Sequence, residues 1–156
     1  MTKYLLLDID DTIAPSMYRG ADAIEIETWG RGHLAIPKYI VEWVKLFSKK
    51  ENQSIWWCTD RSNETTQIEK QLPLKVEGKL MFTKPPKGFW KKQAAIIRFA
   101  EEHPKDTVIC ADNDCDLMKS DKLPDNLHFV IPTGGIKALS KEDLIEIDNL
   151  KSEAIR

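Results

Sequence analysis

Hydrophobic positions along the chain follow two kinds of pattern: short continuous runs, and stripes spaced by three and four. Tyr4-Leu5-Leu6-Leu7 is apolar throughout, the mark of a strand buried on both faces of a parallel sheet. Ser54–Cys58, Lys79–Thr83, Thr107–Ala111 and Leu127–Val130 continue that series as second to fifth strands. Between them lie helical stripes. Ile40, Trp43, Val44 and Phe47 recur at i, i+3, i+4 and i+7, with Glu42, Lys45, Lys49 and Lys50 off the stripe and Pro37 placed for a first helical turn. A second helix is predicted from Asn63 to about Leu72, before Pro73. A third carries Trp90, Ala94 and Ile97, with Ile96 and Ala100 beside them, and stops near His103-Pro104. Ser140 followed by Asp143 reads as the capping box of a last helix. One segment departs from this alternation. Ala23-Ile24-Glu25-Ile26-Glu27 alternates apolar and acidic, Trp29-Gly30-Arg31-Gly32 makes a turn, and His33–Ile36 returns as the second arm of a hairpin.

Strands alternating with helices predict an α/β fold, a three-layer Rossmann-like parallel sheet of about five strands covered on both faces. All 156 residues fit one domain, without repeat or linker. The hairpin, over about residues 20–36, follows the first strand, and the remaining spacings leave no room for a cap domain. With 42% hydrophobic and 31% charged residues the composition is that of an ordinary soluble protein. A formal net charge of -2 excludes a global pull toward nucleic acid or anionic membrane. The chain enters its first strand without a signal-peptide pattern, and no apolar run is long enough for a bilayer. Cys58, Cys110 and Cys115 lack zinc-site spacing and read as reduced thiols, which predicts a cytoplasmic protein without membrane partners.

Candidate chemistry gathers at the strand ends. Asp8, Asp10 and Asp11 fall within four positions just past the first strand, and like-charged carboxylates so close need a counter-charge. In the spacing D-x-D-x-T, Asp8 and Asp10 can converge on one divalent cation while the Thr12 hydroxyl ties the turn. A lone D-x-D is more often a local cap. Here, however, the other strands end at Thr59, at Thr83 and at Asp112, which Asn113, Asp114 and Asp116 follow. In open parallel sheets a site forms beyond such carboxyl ends, at the switch in strand order. Trp43, Trp56 and Trp57 sit where a core needs them, and the three histidines show no ligand spacing.

In their order along most of the chain, DIDDT after an apolar strand, a Thr ending the second strand, a Lys entering a later helix and an acidic cluster after the fourth strand resemble the haloacid dehalogenase superfamily. The resemblance, to a small capless phosphatase-like member, implies Mg²⁺-dependent hydrolysis of phosphoric monoesters through an aspartyl-phosphate. It implies that Asp8 is the nucleophile, Asp10 the general acid and base, and Thr59 a ligand of a phosphoryl oxygen. Asp8, the backbone carbonyl of Asp10 and Asp112 would hold Mg²⁺. Lys91 is the expected site lysine, because Trp90-Lys91 resembles the Trp-Lys of some small members; Lys84, Lys87 and Lys92 are the alternatives. Asp116 would orient metal-bound water or the lysine. Asn113 stands where many relatives carry an acid, so the roles of Asn113, Asp114 and Asp116 stay open. Capless members act on large phosphorylated molecules, here a nucleotide, a nucleic-acid end or a phosphoprotein, or borrow a neighbouring subunit of a homo-oligomer to close the site. In the first case the hairpin would be a flap, with Trp29 and Arg31 meeting the substrate. Two other readings compete: a receiver-like signalling domain phosphorylated on Asp60, and a non-catalytic phosphate-binding protein.

Overall fold

The computed structural model describes residues 1–16, 18, 20–29, 32–61 and 63–151. Five parallel strands, β1 (Lys3–Leu7), β4 (Gln53–Trp57), β5 (Gly78–Lys79), β6 (Thr107–Ala111) and β7 (Leu127–Val130), form one sheet in the order β5-β4-β1-β6-β7. The first strand is therefore central, and the chain adds neighbours first on one side and then on the other. That reversal places the switch point at the carboxyl end of β1. The parallel register pairs Leu7 with Trp57 on one side and with Ala111 on the other. Whatever follows those residues is brought to one edge of the sheet.

Period-two alternation divides each strand between two cores. Leu5, Leu7, Ile55, Trp57, Ile109 and Ala111 face α1 (Lys38–Lys49) and α4 (Lys141–Asn149), whose Ile40, Val41, Val44, Phe47, Leu144 and Ile147 join the same cluster. Leu6, Val108 and Cys110 face the opposite way, toward Ile96, Phe99 and Ala100 of α3 (Gln93–Glu102). The fold is thus α/β and Rossmann-like, as the run-and-stripe pattern predicts. α4 starts at the capping box expected for it, with Ser140 accepting from the Asp143 amide and the Asp143 side chain accepting from the Ser140 amide. Among the described residues no helix is long and apolar enough to cross a membrane. The three cysteines are free and buried.

Three elements differ from expectation. The third strand is only Gly78–Lys79, not Lys79–Thr83. It starts at Gly78, paired with Trp56, whose ring packs where a Cβ on Gly78 would lie, at 2.7 Å; beyond Leu80, Met81 faces solvent, and Pro85 and Pro86 offer no amide for a ladder. The second helix, α2 (Thr65–Gln71), is shorter than predicted. α3 buries the stripe Gln93, Ile96, Phe99 and Ala100, while Ala94 lies exposed and Trp90 precedes the helix.

The hairpin forms as expected, from β2 (Ala23–Thr28) and β3 (Gly32–Pro37) in antiparallel register. It is not loosely attached. Ile26, Leu34 and Ile36 are buried in the α1 core, and two glutamines on one face of α2 cap the outer edge of β2. Gln71 accepts from the Glu27 amide (3.0 Å) and donates to the Glu27 carbonyl (2.8 Å), and Gln67 accepts from the Trp29 amide (2.9 Å). An exposed strand edge is a template for unwanted pairing, and here side-chain amides occupy it. A Gln67→Ala/Gln71→Ala double variant should speed hydrogen exchange at the Glu27 and Trp29 amides by roughly fivefold per lost bond of about 1 kcal/mol, leaving the amides of β1 and β6 protected. Uniform loss of protection across both sheets would mean that the glutamines hold the whole fold rather than the edge.

Candidate active site

The chain turns sharply after β1. The Ile9 carbonyl accepts from the amides of Thr12, Ile13 and Ala14, and Asp11 takes a positive φ of 53°. Ile9, Ile13 and Ala14 are buried and pin the loop to the core. Ile9 claims the core side, so its two neighbours, Asp8 and Asp10, are turned the other way. Thr12 ties this loop to the next strand end: its hydroxyl donates to Asp8 Oδ2 (3.4 Å) and accepts from the Asn113 amide (3.2 Å). Its carbonyl accepts from Leu139, in the segment leading to α4. Asp112 follows β6, and its Oδ1 accepts from the Asp114 amide at 2.8 Å.

Between these carboxylates sits Lys92. Its Nζ lies 3.1 Å from Asp8 Oδ1 and 2.6 Å from Asp112 Oδ2, and donates to the Cys58 carbonyl at 2.9 Å. All three groups are interior, at 6% exposure for Asp8, 0% for Asp112 and 4% for Lys92. The rings of Phe82 and Trp90 lie 6.0 and 5.8 Å from the ammonium, close enough for cation–π attraction and for shutting out water. Burial, with the Asp112 carboxylate beside it, pushes the Asp8 carboxyl up to about 7 against the opposing pull of Lys92. Burial raises Asp112 as well. Burial alone would lower Lys92, but the two carboxylates outweigh it and hold the ammonium above its ordinary value. Two acids share one base, which leaves one uncompensated negative charge in a dry place.

A second cluster lies beside the first. Arg61 Nε and Nη2 grip Asp10 through both carboxylate oxygens, at 2.7 and 2.8 Å, and its Nη1 donates to Glu64 Oε2 at 2.6 Å. Arg61 and Glu64 are buried, whereas the Asp10 side chain is 42% exposed. Thr59, itself buried, accepts from the Arg61 amide through its hydroxyl at 3.1 Å and so fixes the turn after β4.

The structure therefore gathers Asp8, Thr12, Asp112 and the Asn113 backbone at one point, with Asp10 and Thr59 alongside. It does not bring Lys91 there. Lys91 is half-exposed and pairs with Asp60 at 2.5 Å; the lysine between the two aspartates is Lys92. The reason lies in the rotation of α3. Lys92, Ile96 and Phe99 stand at i, i+4 and i+7 on the buried face, so that stripe, and not the Trp90, Ala94, Ile97 stripe, decides which lysine turns inward. Asp116 is exposed on the 3₁₀ turn Cys115–Leu117, and the bonds that hold Lys92 are made without it. Trp29 is 91% exposed at the hairpin tip. Arg31 lies outside the described residues. The sequence reading assigned no role to Arg61 or Glu64, although Arg61-x-x-Glu64 at a helix entrance is a local ion-pair spacing.

Among the described residues, no group of three or more His, Cys, Asp and Glu side chains is placed to hold a metal. Two carboxylates nevertheless converge on one cationic atom, their donors are all oxygen, and their charge exceeds what Lys92 offsets. This donor set fits Mg²⁺, which takes one or two carboxylates and keeps several waters. Asp10 has only its backbone carbonyl left to offer, because Arg61 occupies its side chain. Comparison with protein-family models, with curated proteins and with solved structures finds no match to this chain.

Removing Lys92 strands two buried carboxylates, and losing one partner of a buried pair typically costs about 3–5 kcal/mol. Lys92→Met should therefore lower Tm strongly at pH 8 and much less at pH 5, where the acids can take up protons. Lys91→Met breaks a half-exposed pair worth about 0–1 kcal/mol and should hardly move Tm. Equal effects would invert the assignment. For Asp8 the sign is opposite. Its native carboxyl binds a proton more tightly than the ordinary value of 3.8, so the native state holds more protons between pH 4 and pH 7 and loses stability as pH rises through that window. In chelator, Asp8→Asn should raise Tm by several degrees at pH 8 and by little at pH 4; a lower Tm at pH 8 would show that Lys92 needs both acids.

Proposed function

We propose that the protein is a Mg²⁺-dependent phosphatase of the haloacid dehalogenase type, hydrolysing phosphoric monoesters through an aspartyl-phosphate on Asp8. The observation that carries this reading is the Asp8–Lys92–Asp112 cluster at the switch point of the sheet, with Asp10 two residues along. A buried carboxylate beside a fixed ammonium is a nucleophile held next to the charge that its product needs.

An Asp8 oxygen attacks phosphorus while the bond to the leaving oxygen breaks, and Asp10 gives its proton to that oxygen. In the second half a water attacks the same phosphorus, Asp10 takes the proton, and the bond to Asp8 breaks to release inorganic phosphate. Lys92 and the Thr59 hydroxyl are the groups for the phosphoryl oxygens, a reaction in which positioning and charge do most of the work. Arg61 holds Asp10 in the free protein and would release it to meet the leaving group, keeping its own bond to Glu64. Asp8, Asp112 and the Asp10 carbonyl would hold Mg²⁺, which supplies positive charge against the phosphoryl oxygens when bound. The hairpin is read as a flap with Trp29 toward the substrate, and the substrate as a nucleotide, a nucleic-acid end or another large phosphorylated molecule. A receiver-type reading has less behind it. Its acceptor, Asp60, holds a half-exposed lysine, while the buried lysine faces Asp8.

Wild-type protein should release phosphate from p-nitrophenyl phosphate with Mg²⁺, stop in excess chelator and resume when Mg²⁺ returns. Asp8→Asn should stay folded and fall to background. An active Asp8→Asn variant would end this mechanism, and labelled phosphate trapped on Asp60 would establish the receiver reading in its place.

A further inference from the structure

Two clefts open beside the candidate site, and they share a wall. One, of about 610 Å³, lies between the 83–90 segment and the outer face of α3. The other, of about 460 Å³, reaches Asp60 and Asp114, the neighbours of Thr59 and Asp112. Phe89, Trp90 and Lys91 line both. Sharing that wall, the two clefts mark a path from the loops after β4 and β6 onto α3. We propose that this path seats two or three nucleotides of a single-stranded nucleic acid whose terminal phosphate lies at Asp8, an assignment of substrate class that rests on the phosphatase reading above.

The lining has the chemistry for it. Phe89 is 46% exposed and Trp90 half-buried, so ring faces are offered at the junction of the two clefts. An aromatic side chain accepts the face of any unstacked base. Lys84, Lys91 and Arg98 supply cations along the same cleft. Lys91 is held by Asp60 at 2.5 Å, and a backbone phosphate would compete for it with that exposed carboxylate. Lys119, in the smaller cleft, donates to the Gly88 carbonyl. The length is finite. From Ala94 to Glu101 the helix rises about 10 Å, room for roughly three stacked nucleotides at ~3.4 Å each. At the far end Glu101 and Glu102 turn the cleft acidic, which discourages a fourth phosphate. A duplex cannot offer unstacked faces to Phe89 and Trp90, and a phosphopeptide does not repeat an anion and a flat ring at every unit.

The test uses Asp8→Asn protein with Mg²⁺, so that ligand is not consumed. Fluorescence anisotropy would follow labelled thymidylate trimers with a 5′-phosphate, a 3′-phosphate or none, and a phosphoserine peptide of matched charge. One phosphorylated trimer should bind at least tenfold tighter than the peptide and the unphosphorylated trimer, and the preferred arm identifies the end. Phe89→Ala and Arg98→Glu, both surface changes, should each weaken that trimer about tenfold, the scale of a lost base stack. Two or three phosphate contacts predict a log–log salt slope near roughly -2. Peptide binding equal to trimer binding, or variants that bind unchanged, would overturn the proposal. Failure here together with wild-type hydrolysis of p-nitrophenyl phosphate would reject the cleft alone. Trimer binding sensitive to both variants, without phosphate release from any substrate, would support the cleft and reject hydrolysis.

Discussion

Two carboxylates at the ends of adjacent parallel strands repel each other, and the register that pairs Leu7 with Ala111 gives them no way to separate. Asp8 and Asp112 stand one residue beyond that pair, both buried. With both acids ionised, such an arrangement needs a cation delivered to the same spot. Lys92 does this from the entrance of α3, with its ammonium also bound to the Cys58 carbonyl at the end of β4. One side chain therefore links the ends of three neighbouring strands, β4, β1 and β6. Its charge is still one short. The raised Asp8 carboxyl expresses that deficit, and a deficit of positive charge is what a site for a metal and a phosphate group would be expected to keep in the free protein.

The surroundings are consistent with this constraint. The loop from Asp8 to Ala14 is nailed down by three amides on the Ile9 carbonyl and by apolar residues on both sides of the acids. The aromatic pair Phe82 and Trp90 closes over Lys92, which lengthens the reach of every charge beneath it by lowering the local dielectric. Even the hairpin follows. Its buried Ile26, Leu34 and Ile36 complete the core under the loop, so the segment that could act over the site is also part of what supports it. Trp29, exposed where β2 ends, takes no part in that core.

Much of the architecture was legible because it rests on periodicity. Continuous runs gave β1, β4, β6 and β7, and stripes gave α1 and, with its capping box, α4. The positions of Asp8, Thr59 and Asp112 could be read too, because a parallel sheet sends every strand end to one edge. What could not be read depends on rotation and on distant contacts. α3 begins with aromatic and basic residues in succession, and a turn of about 100° per residue separates a buried Lys92 from an exposed Lys91. Ile96 and Phe99 held the answer, since they share Lys92's face, but Ile97 and Ala94 made an equally regular stripe. The start of the third strand at Gly78 was hidden for another reason: Trp56 lying across Gly78 is a contact between chain positions more than twenty residues apart.

The pairing of Arg61 with Asp10 and Glu64 was also invisible, because an arginine after a strand is most often solvated. Its geometry sets it apart from the Lys92 cluster in a useful way. Lys92 is enclosed with both its acids, and neither buried carboxylate has solvent to turn to if it leaves the ammonium. Arg61 has one partner that is buried, Glu64, and one that is 42% exposed, Asp10. If Asp10 swings away, Arg61 keeps its bond to Glu64 and the buried charge stays compensated. Breaking the exposed half of such a network costs far less than breaking the enclosed half. Under the proposed mechanism, the two clusters separate two demands made of the acids. Asp8 must not move, and its ion pair is one that does not open. Asp10 must approach a leaving oxygen and then a water, and its ion pair is one that can let it go without unfolding the turn that Thr59 and Glu64 hold.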